Sequence, residues 1–211
     1  MTKRRLILPV LAAVGLIAAG CGGGSDTITG SSTDTTDTTA TDTTSTGATT
    51  DTTSTDRTST AEGTLFTDSA GKYSIVVPSS WKSAQDSPKA WFLNEDADSF
   101  RENVNILTET IPSSMDLDSY VDLSISKAPG LISDFTVKEK EKVTLDSGQE
   151  AYKLVYTGTP TSVSTELSFT FLAVVAVEDG TAVTLTMTAP PETFDDTIDE
   201  NWAAIKSLKV L

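Results

Sequence analysis

Apart from one short apolar run near its start, everything in this chain that could build a hydrophobic core lies after residue 62. From Ser25 to Glu62 the sequence is almost entirely Thr, Ser, Asp, Gly and Ala, with one isolated Ile28 and no aromatic residue. Such a stretch buries too little apolar surface to offset the entropy of ordering a backbone, so it is expected to be disordered. The unit Asp-Thr-Thr recurs from Asp34, Asp37, Asp42 and Asp51. Its irregular spacing argues against a stacked repeat and for a low-complexity tether. A flexible chain of about 40 residues has a root-mean-square span of roughly 35 Å and reaches at most about 140 Å. The threonines are also candidate acceptors for O-linked sugars, which would stiffen the stretch.

Upstream, Lys3, Arg4 and Arg5 precede an apolar run from Leu6 to Ala19, followed by Gly20 and Cys21. The run suits a signal h-region but is shorter than the roughly 18 to 20 apolar residues that span a bilayer. Ala18-Ala19-Gly20-Cys21 resembles a lipobox, in which small residues admit a peptidase and the cysteine thiol accepts diacylglycerol. The departure is Ala18, where such signals usually carry Leu. An ordinary secretory signal cut near Ala19 would instead leave Cys21 as a free thiol. An unpaired thiol is a liability in an oxidising compartment, so a lone cysteine at this position reads better as a modified residue. The chain is thus expected to comprise a lipoprotein signal peptide over residues 1–20, the lipidated Cys21 and tether over 21–62, and one domain over 63–211. It would sit at the outer face of a cell membrane, held by a lipid anchor that includes palmitate. Gly22, Gly23 and Gly24 give flexible release from the surface.

The domain has the length of one ordinary folding unit and no disulfide to help it. Of the net charge of −15, the basic start contributes +3 and residues 22–62 contribute −6, leaving −12 on the domain. That charge disfavours nucleic acid and anionic headgroups as partners. Tyr73, Ile75 and Val77 alternate with Lys72, Ser74 and Val76 as in a half-buried strand, which Pro78 ends. Ala90–Leu93 and Val104–Thr108 read as further short strands around an acidic loop from Asn94 to Glu102.

A helix is expected from about Ser114, with Leu117, Tyr120, Val121 and Ile125 on one face and an end at Pro129-Gly130. Phe135 to Leu145 is extended, and its run Lys138-Glu139-Lys140-Glu141-Lys142 suits a solvated or edge-protecting strand face. Asp146-Ser147-Gly148 turns the chain into Glu150–Tyr156, and Gly158-Thr159-Pro160 is expected to open a loop. Leu167–Val177 is the most apolar stretch and is expected at the sheet centre. Asp179-Gly180 is a two-residue hairpin signal leading into Ala182–Thr188. From Pro190-Pro191 to Leu208 a closing helix is expected, with Phe194, Ile198, Trp202, Ile205 and Leu208 as its packing stripe.

Candidate chemistry is sparse. Without histidine, and with Cys21 modified, Ser-His-Asp, Cys-His and the usual zinc arrangements are excluded. Ser126-Lys127 is an adjacency without the spacing of a Ser-Lys catalytic pair. Asp96 and Asp98 match two ligands of a calcium loop whose glycine and final glutamate are missing. Asp195, Asp196, Asp199 and Glu200 crowd one helical region, where acidic side chains ordinarily serve the helix dipole. No metal, cofactor or catalytic residue is therefore assigned.

The pattern Tyr73-x-Ile75-x-x-Pro78-x-x-Trp81, the Asp179-Gly180 hairpin and the closing Trp202-x-x-Ile205-x-x-Leu208 together resemble the PsbP-like superfamily. Its members include photosystem subunits, a Ran-binding factor and LpqN-type envelope lipoproteins. The resemblance implies an α+β fold, an α/β/α sandwich with a central, mainly antiparallel sheet. Metal binding through histidine does not carry over to a chain without histidine. Ran binding conflicts with the signal, and only the envelope-lipoprotein branch agrees with both halves of the chain. The expectation is a monomeric, non-catalytic binding or adaptor module for an envelope protein or amphiphile. A hydrolase using carboxylate or serine residues and a passive surface spacer are the alternatives. Substituting Cys21→Ser is expected to abolish incorporation of labelled palmitate and to move the chain out of the membrane fraction; retained label would remove the anchor at this residue.

Overall fold

A computed structural model describes residues 61–84, 87–93, 101–161 and 168–211. The signal segment, Cys21, the tether up to residue 60, Asp96 and Asp98 lie outside them. The described strands are β1 (Thr64–Thr67), β2 (Tyr73–Val77), β3 (Lys82–Ala84), β4 (Ser87–Phe92), β5 (Asn103–Thr110), β6 (Ile132–Thr144), β7 (Glu150–Pro160), β8 (Phe169–Glu178), β9 (Thr181–Ala189) and β10 (Lys209–Val210). Helix α1 (Leu117–Lys127) follows β5, and α2 (Phe194–Lys206) follows β9. Seven strands form the main sheet in the order β3-β4-β5-β9-β8-β7-β6, and β1-β2-β10 form a separate small sheet. Every neighbouring pair runs antiparallel.

Local signals place most of these elements. Asp179 and Gly180 both have positive φ, 44° and 72°, as a two-residue turn between Glu178 and Thr181 requires. Asp116 caps α1 by accepting the Ser119 amide at 2.8 Å. That bond holds the Asp116 carboxyl below its ordinary pKa. Helix α2 starts at Phe194, later than expected, because Pro191–Thr193 form a turn. It also ends earlier, since Lys209 belongs to β10. Gly158 and Pro160 do not open a loop but continue β7 to its end. A Cβ at Gly158 would lie 2.3 Å from Ile132 Cγ2 and 2.8 Å from the Ser133 carbonyl, so glycine there permits the close approach of β6.

The main sheet has a core on each face. On one face Leu172, Val174, Leu185 and Met187 meet Phe194 and Ile205 of α2 together with Tyr73 and Ile75 of the small sheet. On the other, Leu154, Tyr156, Phe171 and Val175 meet Tyr120 and Val121 of α1. The apolar segment expected at the sheet centre is β8, one place off it; β9 takes the middle and is buried throughout. The expected α/β/α layering holds, with the small sheet sharing the α2 side.

The small sheet is attached at several points. Lys89 of β4 reaches Asp68, just after β1, at 2.9 Å. The ring of Phe66 meets that of Trp91 edge-on at 5.3 Å, and the Trp81 indole N–H donates to Asn201 of α2 at 2.6 Å. The Asp68 side chain is 1% exposed. Burial works against its charge, but Lys89 and the amides of Ala70 and Lys72 outweigh burial and hold its pKa below the ordinary carboxylate value. A depressed carboxylate stabilises the fold fully above the unfolded pKa of about 3.9, and this contribution is lost as pH falls through the lower folded value. In urea unfolding over an acid pH series, the stability advantage of the wild type over Asp68→Asn is therefore expected to shrink below about pH 4.

Candidate functional site

Alternation along the small sheet divides its side chains into two sets. Phe66, Tyr73 and Ile75 point to the core, whereas Leu65, Thr67, Ser74, Val76, Lys209 and Leu211 line a groove of about 530 Å³ on the outer face. Ala61, Asp146, Ser147 and Ser207 complete its walls. Leu65 is 65% exposed and Leu211 51%, and they are the large exposed hydrophobics among the described residues. The pairings Leu65↔Val76, Thr67↔Ser74 and Ser74↔Lys209 put these side chains on one surface.

The polar groups of the groove are largely occupied with holding it together. Ser207 Oγ accepts the Val76 amide at 2.8 Å and donates to the Ala204 carbonyl at 2.6 Å. Asp146 pairs with Lys206 at 3.5 Å, and Ser147 Oγ donates to Gln149 at 3.2 Å. The Gln149 side chain in turn clasps the Val210 backbone, accepting its N–H at 3.0 Å and donating to its carbonyl at 3.1 Å. Lys209 has no ion-pair partner among the described residues. An open groove with exposed leucines beside it is suited to an apolar or extended ligand.

The residues singled out in the sequence for chemistry do not converge here. Asp195, Asp196, Asp199 and Glu200 are exposed along α2, and among the described residues no three carboxylates are placed to share a cation. Ser126 Oγ donates to the Leu123 carbonyl within α1. The charge run lies on β6, the sheet edge, as expected of edge protection. Lys140 meets Asp122 at 2.5 Å and Lys142 meets Asp118 at 3.1 Å on the α1 side. On the opposite side Glu139 and Glu141 meet Lys153 at 2.9 and 3.4 Å.

A second polar group escaped the sequence reading. The Tyr120 hydroxyl donates to Glu109 beneath α1, beside the buried hydroxyls of Ser124 and Thr184. Burial, then Glu109, push the Tyr120 pKa upward, so this phenol stays neutral and serves packing. Its partners lie on three elements, and no local spacing could have announced them.

Because Leu65 and Leu211 contribute little to the core, Leu65→Ser with Leu211→Ser is expected to change unfolding stability by no more than about 0.5 kcal/mol per site. The same pair is expected to reduce binding of a fluorescent apolar dye to the folded protein. A large loss of stability would show that these leucines serve the fold instead.

No protein-family model matches the chain, and no curated protein matches it by sequence. Solved structures do. LpqN, involved in cell envelope biogenesis of Mycobacterium tuberculosis, is similar at 14% identity and a TM-score of 0.51, covering 70% of this chain and 89% of LpqN. The protein of unknown function PA94 from Pseudomonas aeruginosa, a putative regulator, aligns at 14% identity and a TM-score of 0.52, covering 72% of this chain and 99% of its own. The cyanobacterial PsbP of Synechocystis sp. PCC 6803 aligns at 19% identity and a TM-score of 0.49, over 75% of this chain and 98% of that one. The mainly antiparallel sheet, its two flanking helices and the likenesses to LpqN and PA94 give the chain the PsbP-like fold.

Proposed function

We propose that this chain is a lipid-anchored envelope protein whose domain, residues 63–211, is a non-catalytic binding or adaptor module. Cys21 carries the anchor, and residues 21–62 form the tether that lets the domain search a volume above the membrane. The observation that carries the binding reading is the outer face of the small sheet. Its two exposed leucines flank a groove in which Ser147, Ser207 and Asp146 are already committed to structural bonds. Two large apolar side chains left exposed beside an open groove on an otherwise acidic domain support reading this face as an interaction site. The envelope assignment is supported by the signal segment and by the fold shared with LpqN, whose involvement is in cell envelope biogenesis. Both proteins would then act at the same place through the same scaffold, with sites that differ.

A hydrolase would need a carboxylate or hydroxyl poised as nucleophile or base, whereas Asp146, Ser147 and Ser207 of the groove are bonded to Lys206, Gln149 and the Ala204 carbonyl. A passive spacer would have no use for the exposed leucines. The two are separated by placing a photoreactive residue at Leu65, at Leu211 and, as control, at Asp195 in the full chain in intact cells. Reproducible adducts from the groove positions and none from α2 are expected. Adducts equally distributed over all three positions, or none from the groove, would favour the spacer.

A further inference from the structure

Sheets expose unpaired N–H and C=O groups at their edges, and proteins ordinarily block them. Three of the four described edges here are blocked. β6 carries alternating charges, two register breaks and Asp134 at a positive φ of 54°, which twist it away from a new neighbour. β3 has only three residues and a register break of its own. β10 is closed by Gln149, whose amide engages the outward N–H and C=O of Val210.

The fourth edge is β1, which reads Thr-Leu-Phe-Thr, with no charge, proline or bulge. In an antiparallel pair every second residue turns its backbone groups away from the partner. The Asp68 amide donates to the Tyr73 carbonyl at 3.0 Å, so the register places Phe66 and Thr64 in bonding contact with β2 and turns the N–H and C=O of Leu65 and Thr67 outward. Those same two residues send their side chains into the groove. One short strand thus offers backbone pairing along its edge and an apolar pocket on its face.

Resting on the binding reading above, we infer that β1 receives an extended peptide segment of another protein as a fourth strand of the small sheet. Alternate side chains of that segment would lie on the groove face beside Leu65 and Thr67, with Val76 of β2 behind them. The domain's charge of −12 opposes a second copy of the chain at this edge and favours a neutral or basic segment.

The test uses the full chain in detergent micelles and an end-blocked seven-residue peptide of alternating Val and Thr with Lys at each end. Saturable binding is expected, with amide exchange at Leu65 and Thr67 slowed while β3 and β6 are unaffected. N-methylation of the peptide along its pairing edge is expected to abolish this. Leu65→Pro removes an outward N–H without touching the β1–β2 bonds, and is expected to weaken binding roughly five- to tenfold. Leu65→Val keeps the N–H and should retain binding, while unchanged exchange in β9 certifies that both variants fold.

Equal binding by Leu65→Pro, equal binding of the N-methylated peptide, protection at another edge, or no binding would each overturn strand addition. So would protection that appears without peptide, whether it rises with protein concentration or vanishes when residues 22–60 are deleted. If the peptide fails while Leu65 still forms adducts in cells, the binding reading stands and only this mode falls. If both fail, both fall.

Discussion

β8 and β9 are buried on both faces, and the arrangement of the other elements follows from that constraint. A strand covered on one side can alternate polar and apolar residues, but a strand covered on both must satisfy two cores at once. β9 does so with Val183, Leu185 and Met187 toward α2 and Ala182 with a row of threonines toward α1. β8 is apolar on both sides across most of its length. Each fully buried large aliphatic side chain stabilises by roughly 1.5–3 kcal/mol, so the hairpin needs a helix over each face. The turn that joins the strands is equally tightly held. The Ile111 amide donates to the Gly180 carbonyl at 2.8 Å, and a Cβ on Gly180 would come within 3.2 Å of the Ile111 carbonyl oxygen.

The small sheet is held differently. Its inner face is anchored by aromatic contact with Trp91, and the carboxylate just after β1 is paired across to β4, while its outer face has no comparable cover among the described residues. Polar groups around the groove hold strands and turns in place. The same surface therefore combines a rigid backing with exposed apolar side chains, which is the combination a docking site requires.

Much of this organisation was legible in the sequence wherever a signal is local. The Asp179-Gly180 turn, the acidic start of α1, the alternation of β2 and the stripe of α2 each reside within a few residues. What was not legible depends on pairing across the chain. β10 is two residues long and exists because β2 lies beside it; in the sequence it falls just past the expected end of the helix at Leu208. The division into two sheets, the Gln149 clasp and the Tyr120–Glu109 contact are likewise products of distant segments meeting. The acidic group at Asp195, Asp196, Asp199 and Glu200 illustrates the converse, since crowding in sequence became dispersal along an exposed helix. The groove had only an indirect signature, Leu65 and Leu211 near the two ends of the domain.

That placement has a mechanical consequence. The chain enters the fold at β1, four residues long, and β1 is also the strand with the open edge. Tension arriving along the preceding segment is directed along that strand and loads its hydrogen bonds to β2 together. A pull strong enough to disturb this register would also shift Leu65 and Thr67, the residues that shape the groove. On the proposed reading, attachment and recognition would act on the same short piece of backbone, and strain on one would be felt by the other.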